Sequence, residues 1–213
     1  MQKAIIFALA LAVPAVAQQA AAPTAPPGSA DPARVVAGTY AADPGHTLVK
    51  WTVDHLGFSP YFGLFGDVTG TLTFDPKNPA AAKVDVTIPV SKVTTASAGL
   101  TAHLLKPAPA GGKADFFGAA PADARFVSTS VLPSGTTAKI TGNLTLNGVT
   151  RPVTLDARFY GAGKAPAMMG GKDNLGFTAR GSITRSEFGI GYGVPLVSDK
   201  VDLEITAAFA RQG

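Results

Sequence analysis

From residue 39 to the C-terminus, apolar and polar side chains alternate with period two, the pattern of half-buried β-strands. Val49, Trp51, Val53 and His55 fall on one face of a strand, with Lys50, Thr52 and Asp54 on the other. Val68, Gly70, Leu72 and Phe74 alternate with Asp67, Thr69, Thr71 and Thr73, and Val84, Val86, Ile88 and Val90 with Asp85, Thr87 and Pro89. Leu144 and Leu146 lead into Asn147-Gly148, the signal of a type I′ hairpin, and the chain returns through Val153, Leu155, Ala157 and Phe159. Leu175, Phe177, Ala179 and Ile183 form another face, and Val201, Leu203, Ile205, Ala207 and Phe209 the last.

About eight such strands, each with one apolar face, leave two edges and a bare apolar surface if the sheet stays flat. Closure removes both, so the pattern predicts an all-β fold, an antiparallel eight-stranded barrel. A barrel of ~8 strands either fills with side chains or holds one small ligand. Strands of about ten residues would give an interior roughly 34 Å long. An outer-membrane barrel would turn its apolar face to lipid and carry aromatic girdles. The single Trp and the absence of a repeated Trp/Tyr girdle favour a water-soluble barrel with an apolar interior.

The main break in the alternation is residues 97–118, where Ala98, Thr101, Ala102 and Leu105 suit a turn or two of helix. This short helical connecting segment ends in the adjacent pair Phe116-Phe117, which seals one barrel end or touches cargo. A second aromatic group, Phe58, Tyr61, Phe62 and Phe65, follows the Trp51 strand and suits a flexible lip.

The N-terminus changes the picture of where the protein works. Lys3, an apolar run to Val13 and the sequence Pro14-Ala15-Val16-Ala17 have the parts of a secretory leader over residues 1–17. The apolar run is about half the ~20 residues that span a bilayer. A periplasmic location is therefore expected. Residues 18–38, rich in Pro and Ala, read as a mobile tether, and 39–213 as the barrel domain.

The chain lacks cysteine, which excludes disulfides, thiolate metal sites and thiol nucleophiles. A net charge of +4 without a Lys/Arg run argues against nucleic acid as a partner. His46 and His55 lie on opposite sides of the pleat and His103 on the connecting segment, so no metal site is expected. His46 should tie down a turn, and His55 should be a hydrogen-bonded inner residue beside Trp51. Neither a Gly-x-Ser-x-Gly elbow nor a locally placed Ser–His pair is present, so no catalytic residue is assigned. Gly161-Ala162-Gly163 opens no helix and is not a nucleotide loop. Arg185 reads first as a strand-end polar contact, with a ligand phosphate as the alternative.

Several stretches, in this order, resemble the YceI family of exported lipid- or polyisoprenoid-binding proteins. They are Asp43-Pro44-Gly45-His46, Val53-Asp54-His55-Leu56-Gly57, His103-Leu104 with Ala114-Asp115-Phe116-Phe117, the block from Gly142 to Val153, and Thr184-Arg185-Ser186-Glu187-Phe188-Gly189. The resemblance implies a lipocalin-like barrel whose tunnel holds an amphipathic isoprenoid, of polyprenyl phosphate or ubiquinone type, with no required cofactor. Here Leu100 and Thr101 stand where the family places charged residues before His-Leu, and residues 106–113 lengthen the link to Asp-Phe-Phe. Both differences fall where an opening or lid is expected.

The reading is thus an exported, non-enzymatic carrier of a long-chain amphipathic lipid. The expected lining is Trp51, Val53, His55, Phe58, Phe62, Leu104, Phe116, Phe117 and Phe177. The alternatives are a self-filled envelope interaction or stress-response module, or an enzyme on a hydrophobic substrate using His55 or His103 as base. A transient contact with a membrane surface and a homodimer are left open.

Overall fold

The structure, a computed structural model, describes residues 25–213. The expected leader and the first part of the tether lie outside the described residues. Ten strand segments follow one another: β1 (Gly38–Ala42), β2 (Leu48–His55), β3 (Ser59–Phe65), β4 (Thr69–Phe74), β5 (Lys83–Ile88), β6 (Ala124–Ser134), β7 (Thr137–Leu146), β8 (Val149–Lys164), β9 (Asp173–Thr184) and β10 (Lys200–Arg211). A short helix, α1 (Ala98–Leu104), lies in the long β5–β6 connection and is capped by Ser97, whose Oγ accepts from the Leu100 amide.

All pairings are antiparallel, in the order β1-β4-β5-β6-β7-β8-β9-β10, and β10 returns to β1 to close the barrel. Ten segments make eight staves because two staves are broken. β10 pairs first with β2, Thr52 facing Asp202, and further along with β1, Ala42 facing Phe209. Across from them β3 and β4 share the next stave. Asp43-Pro44-Gly45-His46 makes the break between β1 and β2. Asp43 accepts from the Gly45 amide at 3.0 Å and bonds His46 Nδ1 at 2.7 Å, so His46 does tie down a turn. Buried Thr47 then patches the ladder, donating to the Ala208 carbonyl at 3.0 Å and accepting from the Ala208 amide at 3.1 Å.

The apolar faces point inward and the polar faces outward. Exposed ion pairs lie on the outer wall: Lys50 with Glu204 at 2.9 Å, Arg125 with Asp85 at 2.6 Å, and Lys139 with Asp156 at 2.6 Å. Such a wall is the reverse of a lipid-facing barrel. The Arg125 guanidinium holds the Asp85 carboxyl below the usual carboxylate range, and Lys50 does the same for Glu204.

Inside, two apolar clusters occupy opposite ends. One gathers Val90, Phe126, Leu146, Phe188 and Ile190, with Phe116 and Phe117 packed against it. The other gathers Tyr40, Leu72, Leu175 and Phe209, with Val35, Phe74, Phe159 and Phe177 against it. Asn147 and Gly148 adopt positive φ, 51° and 75°, and form the β7–β8 hairpin that the sequence predicts.

Part of the stretch expected as a tether is docked. Ser29 and Ala162 exchange two backbone bonds, at 3.0 and 2.9 Å, adding a short extra ladder beside β8. The segment then makes a single turn (Pro32–Arg34) capped by Asp31, and the hydroxyl of fully buried Tyr40 donates to the Val36 carbonyl. Burial pushes that hydroxyl's pKa up. Gly161-Ala162-Gly163 is the seat of this strap. A β-carbon on Gly163 would sit 2.2 Å from the Pro27 carbonyl oxygen, so a side chain there would drive the strap away.

Candidate functional site

A cavity of about 330 Å³ runs along the inside of the barrel. It reaches from Val90, Phe126 and Leu146 at one end to Pro76, Pro133 and Gly135 at the other. Its volume lies at the small end of the ~300–1,000 Å³ range of ligand pockets. Apart from Thr47, Thr136, Thr137 and Arg158, the side chains that line it are apolar. No carboxylate, imidazole or serine is among them, so the cavity wall offers no acid–base pair.

The mouth is framed by the β4–β5 loop with Pro76 and Pro79, the β6–β7 hairpin with Pro133 and Gly135, and the strap, which contributes Pro32 and Val35. Thr136, Thr137 and exposed Arg158 belong to the same rim, Thr137 facing Arg158 across the β7–β8 ladder. Just inside, Phe177 is surrounded by Phe74, Phe159 and Phe209, with ring centroids 6.1, 5.8 and 6.4 Å away and edges toward faces. Beside this collar β8 carries a bulge: the register slips between Phe159 and Gly161, leaving Tyr160 outside and 72% exposed.

The opposite end is sealed. Arg185–Phe188 forms a turn that drops Phe188, 1% exposed, into the barrel floor. Buried Arg185 holds the turn in place through four carbonyls. Nε donates to Ser198 at 2.9 Å, one terminal nitrogen to Ile190 and Tyr192 at 2.8 Å each, and the other to Val197 at 2.9 Å. Burial lowers its pKa, and Asp199 acts in the opposite sense. Asp199 accepts from the Ser186 amide at 2.8 Å and hydroxyl at 2.6 Å, which lowers its own carboxyl pKa. Asn147 of the β7–β8 hairpin donates to the Phe188 carbonyl at 2.9 Å, so two of the sequence blocks meet here. Arg185 is therefore the strand-end contact of its first reading, with its donors turned to loop carbonyls.

The connecting segment covers this same sealed end, which places the altered residues 100–101 and the 106–113 link away from the mouth. His103 bonds Asp115 at 2.8 Å, and its ring packs edge-on against Phe116 and Tyr192 at 5.2 and 5.5 Å. The Phe117 amide donates to the Leu104 carbonyl at 3.0 Å, and its ring meets Phe65 at 5.9 Å.

Of the nine residues singled out in the sequence, Phe177 lies on the cavity wall. Leu104, Phe116 and Phe117 pack at the sealed end. Half-buried Trp51 lies over Gly63, whose lack of a side chain makes room for the indole, and its Nε1 is buried without a partner. Val53 follows on the same strand, outside the cavity wall. His55, expected inside, is exposed at the end of β2, where the strand has run past the barrel rim. Phe58 is 86% exposed on the β2–β3 turn, and Phe62 is on the outer face of β3 with the Lys50 ammonium 4.9 Å over its ring. Missing from that selection were Phe74, Phe159 and Phe209. The signal was present, since each stands near the mouth-end limit of an inward-facing run.

No group of His, Asp and Glu among the described residues could hold a metal ion. Among them, too, no helix is long and apolar enough to cross a membrane.

The YceI-like domain matches residues 40–209 of the chain. Protein YceI of Escherichia coli O17:K52:H18 is 44% identical over 168 residues, 78% of this chain and 83% of its own. That of Salmonella arizonae is 43% identical over the same share. Among solved structures, the YCEI protein of Campylobacter jejuni superposes with a TM-score of 0.62 at 30% identity, covering 75% of this chain and 90% of its own. A polyisoprenoid binding domain of Saccharophagus degradans shares the fold at a TM-score of 0.55 and 10% identity, over 81% and 98% of the two chains. The chain belongs to the YceI-like family.

Proposed function

We propose that this YceI-like protein binds a long-chain amphipathic lipid, of isoprenoid type, in the barrel, and that it does so as an exported carrier rather than an enzyme. The observation that carries the reading is the cavity, which runs along the barrel, is apolar for nearly its whole length and, apart from buried Thr47, has its polar groups at the mouth. Such a shape takes a chain inward and leaves a head group at the rim. Burying ten methylenes contributes on the order of 8 kcal/mol before ordering costs. Thr136, Thr137 and Arg158 would face the head group, with Arg158 suited to a phosphate and the threonines to a quinone oxygen. The reading is supported by the shared fold of the Saccharophagus degradans domain, a polyisoprenoid binding domain. A barrel filled by its own side chains, the interaction-module alternative, does not fit the continuous cavity.

The test is native mass spectrometry of protein purified gently from the envelope, followed by organic extraction. A stoichiometric isoprenoid lipid is expected. Ala179→Trp, which fills the cavity wall, should leave the circular dichroism spectrum unchanged and abolish the adduct. Wild-type protein that is folded, carries no lipid and refuses added isoprenoids would overturn the reading.

A further inference from the structure

The mouth end carries a feature that cargo binding does not use. Between Lys164 at the end of β8 and Lys172 before β9, the chain reads Ala165-Pro166-Ala167-Met168-Met169-Gly170-Gly171, seven residues without one polar side chain. Met168 and Met169 are 84% and 74% exposed at its tip. Single exposed apolar residues are ordinary on a soluble protein, but an adjacent pair on a projecting hairpin of this composition is not.

The backbone of the loop is largely self-satisfied. The Ala165 amide donates to the Lys172 carbonyl at 2.8 Å, the Met169 and Gly171 amides to Pro166 at 2.8 and 3.1 Å, and the Gly170 amide to Ala167 at 3.0 Å. Proline supplies no amide at all. With four of its six amides paired, those of Ala167 and Met168 being the exceptions, the loop loses less on entering a low-dielectric medium than an open loop would, since each unpaired amide there costs several kcal/mol.

Charge around the mouth points the same way. Arg34, Lys77, Lys83, Arg158, Lys164 and Lys172 are exposed at this end, against exposed Asp31 and Asp75, while Asp173 is engaged by Arg211 at 3.5 Å. The sealed end also exposes apolar side chains, Phe58 and Leu196 among them. There, however, exposed Asp54, Asp67 and Glu187 offset the nearby cations.

We propose that the β8–β9 loop docks the cavity mouth onto an anionic phospholipid bilayer, with Met168 and Met169 in the interface and the flanking lysines on the head groups. Leu132 and Tyr160, 65% and 72% exposed on the same end, would widen the contact. The inference rests on the carrier reading for its purpose, since a carrier must bring its mouth to the membrane that holds its cargo, but not for its physics.

The experiment is flotation of the full mature protein with vesicles of phosphatidylglycerol and phosphatidylethanolamine, against vesicles of phosphatidylcholine. Binding to the anionic vesicles alone, weakened by salt, is expected. Lys164→Gln with Lys172→Gln should lower the partition coefficient about 25-fold, at roughly fivefold per cation. Met168→Asp with Met169→Asp should lower it about tenfold or more. Unchanged binding in both double variants would overturn the proposal. So would equal binding to neutral vesicles, or a concentration-dependent dimer that the methionine variant dissociates. Extracted lipid content separates this claim from the carrier reading. Variants that lose vesicles but keep detergent-loaded lipid support both, whereas wild-type protein that binds anionic vesicles through this loop yet holds no lipid upholds docking and removes the carrier.

Discussion

The two ends of the barrel are built from the same alternating strands and do opposite things. At the sealed end, long connections fold back and close the interior with Phe188, Phe116 and Phe117, fixed by side-chain bonds to loop carbonyls. At the mouth, proline-bearing turns and an N-terminal strap leave a gap lined by apolar atoms, with cations outside it. The sequence blocks that mark the family cluster toward the first end and the β1–β2 break. They build the vessel, and none of them lies at the mouth.

Breaking the sealed end should have the largest effect. Arg185→Ala leaves four carbonyls without their donor, and at about 1–3 kcal/mol for each buried group left unpaired the loss is of order 4 kcal/mol. A drop in the thermal midpoint of many degrees is expected, with lipid per folded molecule unchanged. If lipid content fell while the midpoint held, the guanidinium would belong to the binding site instead.

A paired substitution sharpens the contrast. Phe116→Ala should cost about 2–4 kcal/mol by denaturant titration, as a truncated core aromatic, and leave bound lipid intact. Phe177→Asp places a carboxylate in the collar and should cut lipid content at least tenfold, because an unpaired charge in an apolar wall costs more than the chain gains. Equal losses of lipid from both variants would dissolve the distinction between floor and collar.

At the mouth, Gly163→Ala should lift the strap without straining β8. The expected result is faster hydrogen exchange at Ser29 and Ala162 with exchange in the sealed end unaltered.

The smallest effect is in acid. Asp199 is held below the ordinary carboxylate range chiefly by the Ser186 hydroxyl, as Asp85 is by Arg125 and Glu204 by Lys50. A depressed folded-state pKa adds stability that is present above the unfolded value, about 4, and is lost as pH falls through the folded value. Stability should therefore decline below about pH 4. Asp199→Asn should flatten that decline slightly, since the carboxylate contributes nothing once replaced; an unaltered acid limb would show that the Ser186–Asp199 contact is energetically silent.

Much of this molecule was legible in its sequence. The inward faces at Val84, Leu155, Phe177 and Ile205, the Asn147-Gly148 hairpin, the eight staves and the polar outer wall all follow from a two-residue period, because the pleat sends successive side chains to opposite faces wherever the chain is extended. What alternation cannot carry is depth along the barrel. Trp51 and Val49 share a face, yet Val49 lines the cavity while Trp51, paired with Leu203 of β10, turns its indole into the space over Gly63. Which end is sealed depends on Arg185 reaching carbonyls as far along the chain as Ser198, and the strap depends on Gly161 and Gly163 meeting residues 27–29. Periodicity is a property of neighbours in the chain. Depth, closure and the mouth are set by contacts between residues far apart in it, and only the folded barrel brings those together.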